Sequence, residues 1–449
     1  MGYKVYAGSI GHYVDNNNGV WDDQMIWVEH ALIHDSMGDA ISDEPRPCIE
    51  DGTVSLENLA IPQFSFTVPK KLVCLLGGSV ENPYYEYFKL NETFVSVIED
   101  DEEEVFFGCV TSIEKQGDLS KVVTCLGLEH LLENSCTRIA AGVNYLTFKT
   151  EGEIPLPGED HDSIFDKVVL NGSYYKGGNE KSGLFTVPLY CSKVDYLLGK
   201  TKDTSEDGDT WGTKWDLLNS FLFDEYAGYF RLYREPVTPG DWEGPMQIKC
   251  FYSGNAMSET KQKIEYGKNL IDLTYTEEMP SDFVNKVALD AVVTTTKGWW
   301  IFKKTKTELV FGCAEDEESE KKYGIVERRT ATDEATTEEK LNELAKKQLD
   351  EYKQDVEPVL DILAFDRRDI GEDTDRLGLL KKTYINSDPH GVDGWYICTK
   401  ETIKIDRPDE KQLTYGLPSK KLTAQQASEK TTVKHVKERV RGIVSNLNG

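Results

Sequence analysis

The feature that most constrains this chain is a set of short segments in which apolar and polar side chains alternate. The clearest is QFSFTVP at residues 63–69, where Phe64, Phe66 and Val68 are separated by polar residues. Successive side chains of a strand point to opposite faces, whereas a helix repeats about every 3.6 residues. The segment therefore predicts an antiparallel strand with one buried and one solvated face.

Further strand-like segments occupy the rest of residues 1–135. They include ETFVSVIED, VFFGCVTSIEKQ and KVVTCLG, and the acidic run Glu99–Glu104 lies between the first two. Charged residues between two strands are typical of a turn, so the sequence predicts a solvated hairpin tip there. LEHLLENS at residues 128–135 predicts a short helix that packs on the strands. We expect residues 1–135 to form one strand-rich domain.

Residues 136–264 differ in composition, because their loops are rich in Gly, Asp and Lys. Within them Thr213 is the expected N-cap of a helix in TKWDLLNSFLFDEY, and Gly228 is its expected stop. The predicted apolar face of this helix consists of Trp215, Leu218, Leu222 and Tyr226. Strands in YFRLYR and WEGPMQIKCFY follow, so this region predicts an α+β inserted domain.

Residues 265–422 return to strand-like patterns and predict a second strand-rich domain, with a charged excursion and a helix at about 314–356. The stretch 314–340 is charged and poor in apolar residues, which predicts an exposed loop. Thr336 and Glu339 have the spacing of a capping box at the start of EEKLNELAKKQLDEY. The apolar stripe of that helix consists of Leu341, Leu344, Ala345, Leu349 and Tyr352.

Residues 423–449 contain no aromatic side chain and have the pattern of a coiled coil. Five apolar residues follow one another at spacings of three, four, three and four, and they are Val433, Val436, Val440, Ile443 and Leu447. Such a heptad seam needs a partner helix, and β-branched residues at these positions favour three strands over two. We call these five residues the seam and predict a trimerising helix or stem at 423–449.

The charge of the chain excludes several classes of partner. There are 79 acidic and 51 basic side chains, and the formal net charge is −28. Binding to nucleic acid by counterion release and docking on anionic lipid both need clustered Lys and Arg. No stretch has the roughly 20 apolar residues of a membrane helix, and MGYKVYAGS lacks the pattern of a signal peptide, so we expect no membrane anchor. The nine cysteines occur singly, as is typical of small buried side chains.

Candidate chemical sites are few and incomplete. His30 and His34 are four apart, which on a helix would suit zinc, but the glutamate precedes the first histidine instead of following it. His161 lies among acidic residues that suit a hard cation or a plain solvated loop. The loop with Asp203, Glu206, Asp207 and Asp209 does not fit the spacing of a calcium loop. The sequence predicts no catalytic residue, no cofactor and no metal site, and hence a protein that is not an enzyme.

Aromatic clusters leave two interpretations open. They are Tyr84/Tyr85/Tyr87, Tyr174/Tyr175 and Trp299/Trp300. Such groups stack on sugar rings in some proteins, but in strand-rich domains they are more often core or subunit contacts.

Three parts of the sequence form an ordered set of motifs. LENLAIPQFSFTVP, followed by VFFGCVTSIEKQGDLSKVVTCLGLEHLLENS, resembles the opening domain of phage tail hub proteins. EYGKNLIDLTYTEEMPSDFVNKVALDA is similar to a second signature of these proteins. It departs from that signature at Asn285, where Thr is usual, and around Asp290, where Pro-Tyr/Leu-Gly is usual. YINSDPHGVDGWYICTKETIKIDRPDEKQLTYG resembles the closing barrel strands, with Pro389 and Gly416 kept. The resemblance covers most of residues 50–420 in the right order.

The family is the tail-associated, or baseplate hub, proteins of siphophages and prophages, often called prophage tail endopeptidases. The resemblance implies a mainly β fold with two tube-like antiparallel β-barrel domains, an α+β module between them and a C-terminal helix. Three copies with two barrels each would match a sixfold tail tube. The implied partners are a distal tail protein hexamer, the tape-measure protein and a tail fibre or spike, and DNA would pass without specific binding.

The implied function is structural: a homotrimer that closes the distal end of a phage tail and opens for DNA ejection. The implied location is the virion tail tip, assembled in the host bacterial cytoplasm. Two alternatives stay open at this point. One is a tail-associated peptidoglycan-degrading endopeptidase, and the other is a baseplate protein that binds host carbohydrate through its aromatic clusters.

Overall fold

The computed structural model describes two compact units of the chain. The larger unit comprises Met1–Tyr275 with Val359–Lys430, and the smaller unit comprises Thr276–Pro358 with Thr431–Gly449. The described residues are 2–15, 22–36, 48–73, 78–134, 136–139, 144–146, 190–194, 201–203, 210–223, 228–236, 238–253, 255–277, 279, 283–297, 304–332, 337–352 and 358–416. The four domains and their boundaries stay a prediction.

Strands dominate the described residues, so the predicted mainly β class is confirmed. In chain order they are β1 Tyr3–Asp15, β2 Asp22–Asp35, β3 Glu50–Glu57, β4 Gln63–Pro69, β5 Lys71–Val73, β6 Ser79–Glu81, β7 Phe94–Glu99, β8 Glu103–Gln116, β9 Ser120–Gly127, β10 Cys136–Ile139, β11 Asn144–Leu146, β12 Tyr190–Val194, β13 Thr201–Asp203, β14 Thr210–Thr213, β15 Tyr229–Pro236, β16 Met246–Ser253, β17 Ser258–Glu265, β18 Leu270–Glu277, β19 Lys286–Lys297, β20 Lys304–Glu315, β21 Glu327–Ala331, β22 Pro358–Phe365, β23 Lys381–Ser387, β24 Val392–Lys404 and β25 Glu410–Tyr415.

Helical segments are short apart from one. The α-helices are α1 His130–Glu133, α2 Lys214–Leu218, α3 Glu317–Tyr323 and α4 Glu338–Tyr352. A π-turn at Asn219–Phe223 continues α2, and two 3-10 turns lie at Arg367–Ile370 and Asp388–His390.

Sixteen of the described strands form one sheet that joins the amino-terminal strands to the carboxy-terminal ones. Its main path runs β12-β16-β2-β1-β7-β8-β9-β4-β3-β24-β25-β22-β18, with β15 beside β16, and β23 and β17 branching from β24. The two halves meet where β3 pairs antiparallel with β24, from Thr53 opposite Lys404 to Glu57 opposite Lys400. Most pairs are antiparallel, whereas β12/β16 and β17/β23 are parallel.

The alternation in the sequence explains which face of the sheet is buried. In β4 the side chains of Phe64, Phe66 and Val68 are buried, as predicted, while the residues between them are partly or fully exposed. These three residues belong to a core cluster that also contains Val54 and Ile403 from the paired strands β3 and β24. One apolar core therefore lies under both halves of the sheet at this point.

The helix predicted in the middle region begins where the sequence places it. The Thr213 hydroxyl accepts a hydrogen bond from the Asp216 N–H at 3.0 Å, which satisfies one free donor of the first turn. Trp215 and Leu218 are buried, as predicted. The Leu222 side chain and Tyr226 lie outside the described residues.

The smaller unit contains a sheet in the order β20-β19-β21 with α4 packed on one face. The predicted helix is α4, and Leu341, Ala345 and Leu349 of its predicted stripe are buried against β19. Leu344 is partly buried, and the Tyr352 side chain lies outside the described residues. A methyl group on Gly312 of β20 would lie 2.5 Å from the Leu341 Cβ, so only glycine allows this close approach. The exposed loop predicted for 314–340 is wrong, because α3 and β21 lie there.

Candidate functional site

Charged side chains are buried between the amino-terminal and carboxy-terminal strands of the large sheet. We call this group the ionic cluster, and it consists of Tyr3, Glu99, Glu103, Arg368, Arg376, Lys381, Glu401 and Lys411. Tyr3, Glu99 and Glu103 come from β1, β7 and β8, whereas the other five come from residues 368–411. Buried charges need partners, so the cluster ties distant parts of the chain together.

Arg376 lies at the centre of the ionic cluster. Its Nε donates to the Glu99 carboxylate and its Nη2 donates to the Glu401 carboxylate. The Glu401 Oε2 also accepts the Leu379 N–H at 2.9 Å. The fixed planar fork of a guanidinium suits it to hold two carboxylates at once. Arg376 therefore joins β7 to β24 across a part of the sheet where these strands are not neighbours.

Lys411 of β25 provides a second tie to the same carboxylate. Its Nζ donates to the Glu99 carboxylate and to the Tyr3 hydroxyl, the latter at 2.5 Å. The Tyr3 hydroxyl in turn donates to the Glu99 Oε1 at 3.1 Å. Arg368 Nη2 lies 3.4 Å from the same oxygen, so three cations surround one carboxylate.

These contacts fix the protonation of the carboxylates. Burial alone would raise the pKa of Glu99, but the charges of Arg376, Lys411 and Arg368 hold this pKa well below its usual range. In the same way burial would raise the pKa of Glu103, but mainly Arg376 and Lys381 lower it to about 2. Glu99 and Glu103 are therefore ionised at neutral pH.

A second buried junction lies along the edge of β15 that faces away from β16. The Asn58 side chain accepts the Phe230 N–H at 3.0 Å and donates to the Gly228 carbonyl at 2.9 Å. Two residues further along β15, the Glu129 Oε1 accepts the Leu232 N–H at 2.9 Å. These side chains satisfy backbone groups that a neighbouring strand would otherwise bind. We call this contact the β15 junction.

An ion pair completes the β15 junction at its far end. Arg234 donates to both oxygens of the buried Glu104 carboxylate, at 3.0 Å from Nε and 2.5 Å from Nη2. Its guanidinium carbon also lies 3.7 Å from the centroid of the Phe107 ring. Ser96 adds a hydrogen bond from its hydroxyl to Glu104 at 2.5 Å. β15 is thus fixed to β8 by a paired charge rather than by backbone hydrogen bonds.

The residues of both junctions were not predicted from the sequence. The acidic run Glu99–Glu104 was expected to be a solvated tip, and the tip itself, Asp100 and Asp101, has the positive φ angles of a tight turn. Glu99 and Glu104 at its ends are buried, so the prediction is wrong for them. No local pattern in the sequence identifies the partners of Glu99, because Arg376 and Lys411 lie roughly three hundred residues away in sequence.

The five seam residues, Val433, Val436, Val440, Ile443 and Leu447, lie outside the described residues, and so does His161. His30 and His34 both lie on β2, where a spacing of four residues corresponds to about 13 Å, too far for one metal ion. His34 is buried, and this burial lowers its pKa although Asp406 Oδ1 lies 4.0 Å from its Nε2.

The tyrosine cluster at residues 84–87 belongs to the core periphery. Tyr84, Tyr85 and Tyr87 pack against the buried residues under the amino-terminal strands, and the Tyr87 hydroxyl donates to the Ala7 carbonyl at 3.1 Å. The other two aromatic clusters, Tyr174/Tyr175 and Trp299/Trp300, lie outside the described residues. Of the two interpretations, the first cluster therefore fits the structural one.

Two features are absent from the described part of the chain. It contains no group of three or more His, Cys, Asp or Glu side chains placed to hold a metal ion. No helix within it has the length and apolar character needed to cross a bilayer.

The chain is similar to several solved structures of tail proteins. No family model and no curated protein matches the chain. It is similar to the 43 kDa tail protein of prophage MuSo2 from Shewanella oneidensis, with 10% identity, a TM-score of 0.47, and coverage of 92% of this chain and 98% of that one. The tail protein from Neisseria meningitidis MC58 has 13% identity and a TM-score of 0.45, over 92% and 96% of the two chains.

A third similar structure is the prophage tail protein gp18 from Listeria monocytogenes EGD-e. It has 11% identity and a TM-score of 0.42, over 96% of this chain and 99% of that one. All three are tail proteins by name.

Proposed function

We propose that the chain is a structural protein of a phage tail, and that three copies form a hub at the distal end of the tail tube. The observation that carries the proposal is the pairing of β3 with β24. The first and last segments that resemble tail hub proteins, within residues 56–135 and 384–416, contribute strands to one sheet through this pairing. This pairing supports the proposal, because it places both motif segments in one architecture.

In this proposal the hub acts mechanically. It binds a hexameric distal tail ring on one side and holds fibre or spike material on the other, through helices that the seam joins. When the tip contacts a host, loosened contacts between copies open the path for the tape-measure protein and DNA. The large sheet is suited to transmit such loads, because its two halves share backbone hydrogen bonds, one apolar core and the ionic cluster.

The net charge of −28 fits a conduit for DNA. A lumen lined by acidic side chains repels phosphate groups, so DNA passes without binding. The charge of the inner surface of an assembled trimer checks this point, and a basic lumen would contradict it.

Assembly in a lysogen tests the hub function. Deletion of the gene from the prophage is expected to yield no infective particles, and the intact gene in trans restores them. Antibodies against the chain are expected to label the tail tip of the restored particles. Normal infective tails after deletion, or labelling along the whole tube, would contradict the proposal.

A matched assay separates the structural role from the enzymatic alternative. Purified protein is incubated with Gram-positive cell walls, and the released peptides are measured against a lysozyme-treated control. The structural proposal predicts no release above buffer. Release of peptides at a rate proportional to protein concentration would favour the endopeptidase instead.

A further inference from the structure

Glu129 differs from every other carboxylate of the two junctions in its surroundings. It lies between β9 and α1, it is 2% exposed, and only its Oε1 has a partner, the Leu232 N–H. Within the described residues its Oε2 has no hydrogen-bond partner. A buried carboxylate oxygen without a donor is costly, so the arrangement demands an explanation.

Glu129 lines a small cavity that is partly open to solvent. The cavity has a volume of about 20 Å³, and its lining includes Glu104, Glu129, Arg231, Leu232 and Arg234. A polar cavity of this size holds one water molecule. That water would give the Oε2 the partner that the protein does not supply.

The charges that face the cavity decide which form of the carboxyl is favoured. Glu104 and Arg234 neutralise each other, and Arg231 has its Nη2 near the carbonyl oxygens of Glu104 and Val105, at 3.5 and 3.4 Å. Glu57 also lines the cavity, and it lies 3.7 Å from Lys400.

The neighbouring helices α1 and α2 carry four further titratable groups. On α1 itself, His130 pairs with Glu133 at 2.7 Å. Lys214, which is buried, and Asp216 belong to α2, which packs against α1. Burial therefore dominates, and it raises the pKa of Glu129 to about 7, against the weaker effects of the Leu232 N–H and Arg231.

We propose that protonation of Glu129 stabilises the β15 junction. The neutral carboxyl and one water fill the cavity, and loss of the proton weakens the contact of β15 with the amino-terminal strands. The ligand is the proton, and the site is the Glu129 Oε2. The carboxylic acid O–H donates to the water, while Oε1 still accepts the Leu232 N–H. The proposal does not depend on the function proposed above.

The sign of the pH dependence follows from the direction of the shift. The pKa of Glu129 is about 7 in the folded chain, against an ordinary value of 4.5. Between these values the folded state binds more protons than the open state, so the junction weakens as the pH rises and changes little above about 7. The constant for opening is expected to increase on the order of a hundredfold between pH 4.5 and pH 8.

Hydrogen exchange of the full-length chain tests whether protonation of Glu129 stabilises the β15 junction. The exchange rate of the Leu232 amide is measured from pH 5 to pH 8.5 and corrected for the intrinsic pH dependence. We expect protection to fall steeply toward pH 7 in the wild type and to stay constant in Glu129→Gln, which cannot ionise. Glu133→Gln, on the adjacent helix α1 and more exposed, is the control that retains the wild-type profile.

Two results would overturn the proposal. One is an identical pH profile for the Leu232 amide in the wild type and in Glu129→Gln. The other is read from the wild type alone, should the variant fail to fold. Difference infrared spectra are expected to show a protonated buried carboxyl at pH 6 that is lost at pH 8, and no such band would mean that Glu129 is ionised throughout.

Discussion

The two buried junctions of the larger unit use the same residue type in opposite ways. In the ionic cluster, Glu99 is surrounded by Arg376, Lys411 and Arg368, and its pKa is lowered. In the β15 junction, Glu129 has a backbone N–H as its bonded partner, and its pKa is raised to about 7. Burial acts on both carboxyls in the same direction, so the number of nearby cations decides the outcome.

The difference shows how one sheet can have one contact that does not change near neutral pH and another whose strength depends on pH in that range. The ionic cluster joins the two halves of the sheet, and its Glu99 and Glu103 carboxylates are ionised at neutral pH. The β15 junction attaches the middle region, and its strength changes near neutral pH. The following predictions test this contrast, beginning with the largest effect.

Removal of the central cation is expected to cost most. Arg376→Leu leaves Glu99 and Glu401 buried without their shared partner, and breaking a buried pair costs about 3–5 kcal/mol of unfolding free energy. Urea unfolding at pH 7 measures the loss. Arg407→Leu removes an exposed Arg407–Glu410 pair and is the matched control, expected to cost roughly 0–1 kcal/mol. Equal losses in the two variants would show that the cluster contributes nothing special.

Acid should separate the junctions by the sign of their response. A carboxylate with a lowered pKa stabilises the fold above its ordinary pKa of 4.5, and this contribution is lost as the pH falls toward the folded value. The Leu379 amide, which donates to Glu401, reports on the ionic cluster. We expect this amide to lose protection from hydrogen exchange below about pH 4.5. The Leu232 amide gains protection from pH 8 down to pH 4.5. Parallel profiles for the two amides would remove the contrast.

Loss of the uncharged tie at β15 is expected to have a smaller effect. Asn58→Ala leaves the Phe230 N–H and the Gly228 carbonyl without their partner, at a cost of about 2 kcal/mol. Because Asn58 does not titrate, the loss is the same at pH 6 and pH 8. Unfolding midpoints at both pH values check this, and a loss confined to one pH would mean that Asn58 and Glu129 act as one unit.

Local patterns in the sequence were sufficient to predict local structure. The alternation in β4, the Thr213 cap and the stripe of α4 each depend on neighbours within a few residues. The charged stretch after β20 was misread as a loop, although Asp316 caps α3 by accepting the Glu318 and Ser319 N–H groups. Acidic residues in its first turn and Lys321 and Lys322 in its last fit the helix dipole, so a signal was present.

The junctions could not be predicted, because their partners are brought together only by the complete sheet. Glu99 and Lys411 are 312 positions apart, and each alone looks like an ordinary surface charge. Glu129 next to His130 suggests an exposed helix start, but in the structure it is buried and bonded to β15. Sequence patterns report the periodicity of one element, whereas burial of a charge depends on which elements pack together.

The native mass of the full-length chain tests the central claim, a trimeric tail hub, most directly. Light scattering coupled to size exclusion is expected to give about three times the 50.8 kDa of one chain. Val436→Lys with Ile443→Lys interrupts the seam and is expected to reduce this mass, whereas Val444→Lys, which lies off the seam, is the control that retains it. A wild-type protein that stays at the mass of one chain at high concentration would contradict the account.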